Sequence, residues 1–347
     1  MTQSVQIASS TIGPGHPCYL IAEVGTTCLG DMELALSLIR AGAQAGVDAV
    51  KFQVIDPHQD SEQDAEYGVV WDGESKKVNM QKMFLKLAFS PAEWQSIASA
   101  CKENGVEFLA TVDYIAGVDM LDEIGILAHK IGAWDTTYRP LIERIGQTGK
   151  LMMVDLGPTT SEEIKDLSDW YYAAGGSAII FLHDYHTIVA DEMNMRAVPH
   201  LMKIQDWPVG YSSPNRLDDL DFVSLGLGTN MIEKRLILDR SLHAFHSHES
   251  LEPGELKAWV ERIRKAERAL GEEAIQPSRR DLDHAENYYR SICTLRPVAE
   301  GEVFTTENLC GKRPGTGIPT KRIAQLLGRR ASRDIVGNVL ISEDDVR

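Results

Sequence analysis

Eight short apolar runs recur along the first two-thirds of the chain. Each is followed by a turn and then, in most cases, by a segment with apolar residues at helical spacing. The runs are CYLIAEVG (18–25), DAVKFQV (48–54), EFLATV (107–112), AHKIGA (128–133), LMMVDLG (151–157), AIIFLHD (178–184), WPVGYSS (207–213) and NMIEKRL (230–236). Between them, DMELALSLIRAGAQAG puts Leu34, Leu38, Ala41 and Ala45 on one helical face. SPAEWQSIASACKENG, TTSEEIKDLSDWYYAAGG and EPGELKAWVERIRKAERALG repeat the pattern. SPAE and TSEE have the form of capped helix starts, a hydroxyl side chain followed by a glutamate that can return the hydrogen bond. Strands alternating with helices pair in parallel through right-handed crossovers. Eight such units are the number that closes a (β/α)8 TIM barrel, an α/β fold ordinarily of about 250 residues. An open doubly wound sheet is the competing arrangement, and it loses ground because no GxGxxG follows the first run.

The 347 residues exceed what one such barrel needs. The repeating pattern predicts a barrel over 1–270, a polar linker over 271–286, and a small β-rich module over 287–347. That module's short alternating runs are broken by EGE, RPGTG and VGN. The stretch 55–81 reads as a long structureless loop after the second strand, a kind of segment that tends to be functional.

Charge narrows the function. Lys and Arg total 35 against 51 Asp and Glu, a net charge of -16. A chain this acidic lacks the basic face that phosphate backbones or anionic lipids require, so neither nucleic acid nor membrane is an expected partner. Five cysteines at scattered spacing give neither a zinc ribbon nor a disulfide frame and read as reduced core thiols. MTQSVQIASS shows no basic region ahead of an apolar run, and no apolar stretch is long enough to span a bilayer, so a cytoplasmic protein is expected.

In a barrel of this kind chemistry sits at the C-terminal ends of the strands. Those ends carry Glu23, Lys51 with Gln53, Asp113, Lys130 with Asp135, Asp155, His183 with His186, Ser212 with Ser213, and Glu233 with Arg235. Taken singly, each has a structural reading: a rim ion pair, a helix cap, a satisfied core histidine. Together they predict a polar pocket, because buried strands have no need of so many unpaired charges. Two lysines and an arginine among carboxylates suit a small anionic substrate whose charge changes during reaction.

YLIAEVGTTCLGDMELALSLIRAGAQAGVDAVKFQV, FLATVDYIAGVDMLDEIGILAHKIGA, PVGYSS, IEKRLILDR, SLEPGELKAWV and KRPGTGI follow one another in order. In this the chain resembles the sialic acid synthases and their pseudaminate, legionaminate and spore-coat relatives along nearly its whole length. The C-terminal module resembles that family's antifreeze-like (SAF) domain. The resemblance implies condensation of phosphoenolpyruvate with an N-acylmannosamine-type sugar to a 2-keto sugar acid, with loss of phosphate. It also implies a manganese or magnesium ion that orients the aldehyde, and a domain-swapped homodimer in which the SAF domain of one chain covers the barrel mouth of the other. By the same resemblance Glu23 lies near the sugar, and Lys51, Gln53 and Lys130 surround phosphoenolpyruvate. Ser212 contacts phosphate, Glu233 precedes the last metal ligand, and Arg313 reaches the sugar's N-acyl group.

The departures from the family pattern are as informative. The family's GYSDH and EKH read GYSSP and EKR here, so Pro214 and Arg235 stand where metal histidines are expected, and neither binds a divalent ion. No cofactor is therefore expected. KIASGE reads KIGAWD and LSTG reads VDLG, which puts Ala133, Asp135 and Asp155 in place of two phosphate-binding serines and a glutamate. Arg235 is open to two readings: its guanidinium replaces the charge of the metal, or it pairs with Asp155. With Arg235 as the electrophile, Glu23 or Glu233 would handle protons. His243, His246 and His248 follow the last run and are open to three: a relocated metal site, a solvated loop, or a single acid–base group at His246. His183 and His186 are candidates for the pocket on the same terms.

Overall fold

The computed structural model describes residues 2–71, 74–187, 189–217 and 219–347. Eight parallel strands close into a barrel: β1 (Tyr19–Glu23), β2 (Ala49–Val54), β3 (Glu107–Val112), β4 (Ala128–Ile131), β5 (Leu151–Asp155), β6 (Ile179–His183), β7 (Val209–Ser212) and β8 (Met231–Arg235). Each pairs with its neighbours in sequence, and β8 returns to β1 through Glu233↔Ile21 and Arg235↔Glu23. A helix follows every strand: α1 (Met32–Ala45), α2 (Pro91–Glu103), α3 (Ile115–Ile124), α4 (Arg139–Gln147), α5 (Ser161–Ala173), α6 (Ala197–Ile204), α7 (Asp219–Gly226) and α8 (Pro253–Leu270). All eight apolar runs lie on barrel strands, and the fold is the (β/α)8 barrel that the alternation requires.

Local chemistry sets the helix ends. Asp31 caps α1 by accepting the Leu34 N–H at 3.0 Å. Gly46 ends it in the left-handed region at φ 87°, where a side chain would be strained. Ser90 with Glu93 and Thr160 with Glu163 form reciprocal capping boxes at the starts of α2 and α5. Each such cap is worth about 1 kcal/mol.

The two faces of the strands feed two cores. Leu20, Ala22, Val50, Phe52, Ala110, Val154 and Phe181 point outward and pack under the helices. Tyr19, Ile21, Ala49, Leu109, Leu151, Met153, Ile180 and Leu182 point inward and fill the barrel. An N-terminal hairpin, Val5–Ile7 paired antiparallel with Ser10–Ile12, adds Val5, Ile7 and Ile12 to that inner cluster. The inner cluster is thus apolar from the hairpin up to the middle of the strands, which leaves their C-terminal ends for polar groups.

The stretch 55–81 differs from the structureless loop expected of it. It holds a short helix (Pro57–Asp60), an antiparallel hairpin (Glu66–Trp71 with Glu74–Asn79) and a second short helix (Met80–Phe84). Asn79 ends the hairpin and caps the helix, accepting the Lys82 N–H at 2.9 Å. Alternating residues around an Asp–Gly dipeptide are a hairpin signal that polarity obscures; Asp72 and Gly73 themselves lie outside the described residues.

The chain divides into two compact units, Met1–Gly271 and Glu272–Arg347. The second opens with a helix, Arg279–Tyr288, capped by Ser278 and Asp281, inside the polar stretch read as a linker. A two-stranded sheet (Ser291–Thr294 with Leu309–Lys312) and several isolated bridges surround its own core of Ile292, Val298, Phe304, Leu309 and Ile341. The cysteines among the described residues are free, and all but Cys310 are buried. No helix among the described residues is long and apolar enough to cross a membrane.

Candidate active site at the barrel mouth

Side-chain alternation along the strands builds the site. The inward row of β1, Tyr19 and Ile21, continues to Glu23. That of β2 continues from Ala49 to Lys51 and Gln53, and that of β3 from Leu109 to Thr111 and Asp113. Lys130, Asp155, Asp184, Ser212, Glu233 and Arg235 extend the same rows on β4 to β8. Polar groups therefore ring the mouth two or four residues beyond the inner apolar layer.

Glu233 and Lys130 are the centre of the ring. Lys130 is fully buried and donates to Glu233 Oε2 at 2.7 Å while standing 2.8 Å from Asp155 Oδ2. Lys51 lies 3.4 Å from Glu233 Oε1 and 3.7 Å from Glu23 Oε1, and it donates to Thr111 Oγ1 at 3.1 Å. Glu23 Oε1 also accepts the Gly25 N–H at 2.8 Å. Gly25 has to be glycine for this turn: a Cβ there would fall 2.7 Å from Glu23 Oε1 and 2.8 Å from Gln53 Cβ. Arg235 stays at the mouth, its Nε 3.9 Å from Glu23 Oε2.

Burial pushes the Lys130 ammonium down, but Asp155 and Glu233 outweigh it and hold the group above the ordinary lysine range. Glu233 is likewise pushed up by burial and pulled below its usual value by Lys130 and Lys51. Asp155 stays high, at about 7, because burial and the charges of Asp184 and Glu233 outweigh Lys130. On the other side of the ring Gln53 donates to Asp113 Oδ2 at 3.2 Å. Burial raises Asp113 to about 6, against Gln53 and Lys51. Burial and the charge of Asp113 raise Asp135 to about 8. Asp113 Oδ1, Asp135 Oδ2 and Asp155 Oδ1 are buried with no hydrogen-bond partner among the described residues. These acceptors, or donors when protonated, are the polar groups that a substrate could satisfy.

The sequence-selected residues do not all arrive at the mouth. His183 belongs to the outward row of β6 with Ile179 and Phe181. Its Nε2 bonds the Met193 carbonyl at 2.7 Å, and burial holds its pKa low. It lines a cavity of about 280 Å³ with Leu156, Ile164 and Leu201 on the helix side of β6, which makes it a satisfied core histidine and not a pocket group. Ser213 also faces outward and accepts from Lys234 at 2.9 Å. Arg235 forms its ion pair with Glu23 and not, among the described residues, with Asp155. Arg313 belongs to the second unit, where its Nε donates to the Tyr288 carbonyl at 2.7 Å.

Sequence reasoning passes over Asp184, which ends the sixth run and has the inward parity of Ile180 and Leu182. Its Oδ2 pairs with His186 Nε2 at 2.9 Å. Thr111 and the fully buried Lys234–Asp221 pair (2.7 Å) were equally unmarked. Parity along each strand is the signal that finds Asp184 and Thr111 and sets His183 and Ser213 aside.

The site does not fit a divalent ion of the family type. Pro214 offers no ligand and Arg235 is a cation. The nearby carboxylates Glu23, Glu233 and Asp155 are held by Lys51 and Lys130. The late histidines do not replace the missing pair: His243 and His248 are exposed, and half-buried His246 lies 4.0 Å from Glu249. No group of three His, Cys, Asp or Glu side chains among the described residues is arranged to hold a metal.

Residues 38–274 match the NeuB family and residues 289–347 match the SAF domain. An uncharacterised protein of Methanocaldococcus jannaschii is 31% identical over 99% of both chains. Pseudaminic acid synthase of Campylobacter jejuni is 28% identical, over 95% of this chain and 96% of its own. The crystal structure of the Bacillus subtilis spore coat polysaccharide biosynthesis protein SpsE superposes with a TM-score of 0.66 at 26% identity, covering 99% of each chain.

Proposed function

Because the chain belongs to the NeuB family and carries a SAF domain after its barrel, we propose that it is a phosphoenolpyruvate-dependent synthase. It joins the donor to an N-acylmannosamine-type sugar or a related aldehyde, gives a 2-keto sugar acid and releases phosphate. The observation that carries this reading is the Lys51–Glu233–Lys130 chain at the centre of the mouth, with Arg235 beside Glu23. Two buried ammonium groups can hold the donor's carboxylate and phosphate once their own carboxylate partners share them. Gln53 and Ser212 stand on inward rows within the same ring.

Arg235 takes the electrophilic role in this reading. A guanidinium always carries its charge and presents several donors, so it can polarise the aldehyde oxygen where no ion is held. Glu23 positions that guanidinium. Asp155 stands in place of a neutral phosphate-binding serine and Asp135 in place of a glutamate, and their raised pKa values allow each to donate a proton to a phosphate oxygen near neutral pH. Incubation with phosphoenolpyruvate and a panel of N-acylated hexosamines and simpler aldehydes is expected to release inorganic phosphate, undiminished by EDTA. If phosphate stays on the donor with every aldehyde, the reading is lost.

A second reading has its own observation. The ring holds more carboxylates than cations, and Lys130 is already engaged by two of them. Such a mouth also suits a singly charged sugar acid or keto acid without phosphate. Stabilisation of the protein by a keto acid, with none from phosphoenolpyruvate, would favour this second reading. We further propose the homodimer that the family implies, with Arg313 of one chain serving the barrel of the other.

A further inference from the structure

We propose that Asp184 and His186 form an acid–base dyad: His186 is a catalytic residue that protonates the aldehyde oxygen, and Asp184 is the positioning residue behind it. This rests on the condensation reading above.

Asp184 continues the inward row of β6, with its side chain 8% exposed, and its Oδ2 takes His186 Nε2 at 2.9 Å. The imidazole itself is 52% exposed at the rim. A buried carboxylate gripping one nitrogen of an accessible imidazole fixes the tautomer and leaves Nδ1 for exchange with a ligand. The charged and titratable groups around the ring are Asp184, Asp155 at the end of β5, Arg235 at the end of β8, and His246 on the loop after β8. The Asp184 hydrogen bond and the two aspartate charges raise His186, against burial and Arg235. His246 goes the other way: burial, Arg235 and His186 push it well below the ordinary range. Of the two histidines, His186 is the accessible one held by a buried carboxylate at 2.9 Å, whereas His246 lies 4.0 Å from Glu249, so the acid–base role moves from His246 to His186.

The two groups at the centre of the ring are poor donors. Lys130 is held protonated between Asp155 and Glu233, and Glu233 is held ionised by two lysines. Asp135 and Asp155 are given to the phosphate oxygens in the reading above, so the aldehyde oxygen needs a proton donor of its own. In the step, the enol carbon of the donor forms a bond to the aldehyde carbon. The C=O π pair moves to oxygen, which takes the Nδ1 proton. Water adds to the electron-poor carbon left on the donor, and its released proton restores the imidazolium. The C–O bond to phosphate then breaks, and the remaining hydroxyl proton leaves with phosphate.

The test uses the full-length protein with His186→Gln, Asp184→Asn and Asp184→Glu. It reads phosphate release across pH and, separately, the NMR titration of His186 in ligand-free protein. His186→Gln is expected to lower kcat about 10²- to 10⁴-fold with KM within about threefold. Asp184→Asn is expected to move both the imidazole titration and the alkaline limb of kcat down by about one pH unit, and Asp184→Glu to recover part of that shift. A kcat within tenfold of wild type in His186→Gln overturns the catalytic role. An unchanged His186 titration in Asp184→Asn overturns the dyad. A wild-type protein that releases no phosphate overturns the condensation reading and the step within it, while the titration still decides whether Asp184 controls the imidazole.

Discussion

Asp135 shows how one buried carboxyl group links the mouth to stability. Its folded pKa of about 8 lies well above the 3.8 of an ordinary aspartate, through burial and the charge of Asp113. The folded state therefore binds more protons than the unfolded state between those values, and stability falls as pH rises through that window. Asp135→Asn removes the titration. Relative to wild type, the variant's melting temperature is expected to gain by about 3 °C or more from pH 5 to pH 8. A constant difference would mean that Asp135 ionises normally. Arg235 carries the complementary prediction for activity. Arg235→Ala is expected to lower kcat about 10²- to 10³-fold, with Arg235→Lys intermediate, since an ammonium keeps the charge and loses the planar fork. The paired substitution Pro214→His with Arg235→His supplies the family's two ligands, and manganese-dependent turnover in that protein would show that the surrounding groups remain competent.

Each barrel strand is a two-sided element, and β8 shows what the sides do. Glu233 and Arg235 face the mouth, while Lys234 points outward. Its Nζ bonds Asp221 Oδ2 at 2.7 Å and Ser213 Oγ at 2.9 Å, and Trp259 of α8 donates to the same Asp221 oxygen at 2.8 Å. This fully buried network ties β8 to α7, α8 and the end of β7, and so fixes the register that aims Glu233 and Arg235 inward. Lys234→Met is expected to cost about 3–5 kcal/mol, because Asp221 is left buried and charged. The double variant with Asp221→Leu should recover a large part of that loss in denaturant unfolding. Additive losses would show that the two side chains do not act as a pair. The EKR motif has the residue types of an active site, yet its central lysine is structural.

At the scale of the molecule, the proposed function divides its parts between two units. The barrel carries the lysines, the carboxylates and Arg235, and the second unit carries Arg313. If Arg313 serves the partner's barrel, Arg313→Ala and Glu233→Gln are each inactive alone. Mixed and allowed to exchange subunits, they are then expected to regain about a quarter of wild-type turnover, by random pairing of complementary chains. No recovery in a mixture shown by mass to contain heterodimers would remove Arg313 from the partner's site.

Periodicity settled the architecture, because the alternation of two-fold and helical spacing is a local property and eight βα units have few ways to bury their apolar faces. The strand ends named most of the ring, since a buried strand that finishes on a charge announces itself in the text. The tertiary structure alone decided which neighbour each charge meets. Arg235 beside Glu23, Lys130 beside Glu233, and Asp155 held by Lys130 and not by Arg235 are contacts between different strands, and no local pattern encodes them. His183 and Lys234 follow the strand's own alternation, which puts every second residue on the opposite face, and closure of the barrel decided which face meets the helices and which the mouth.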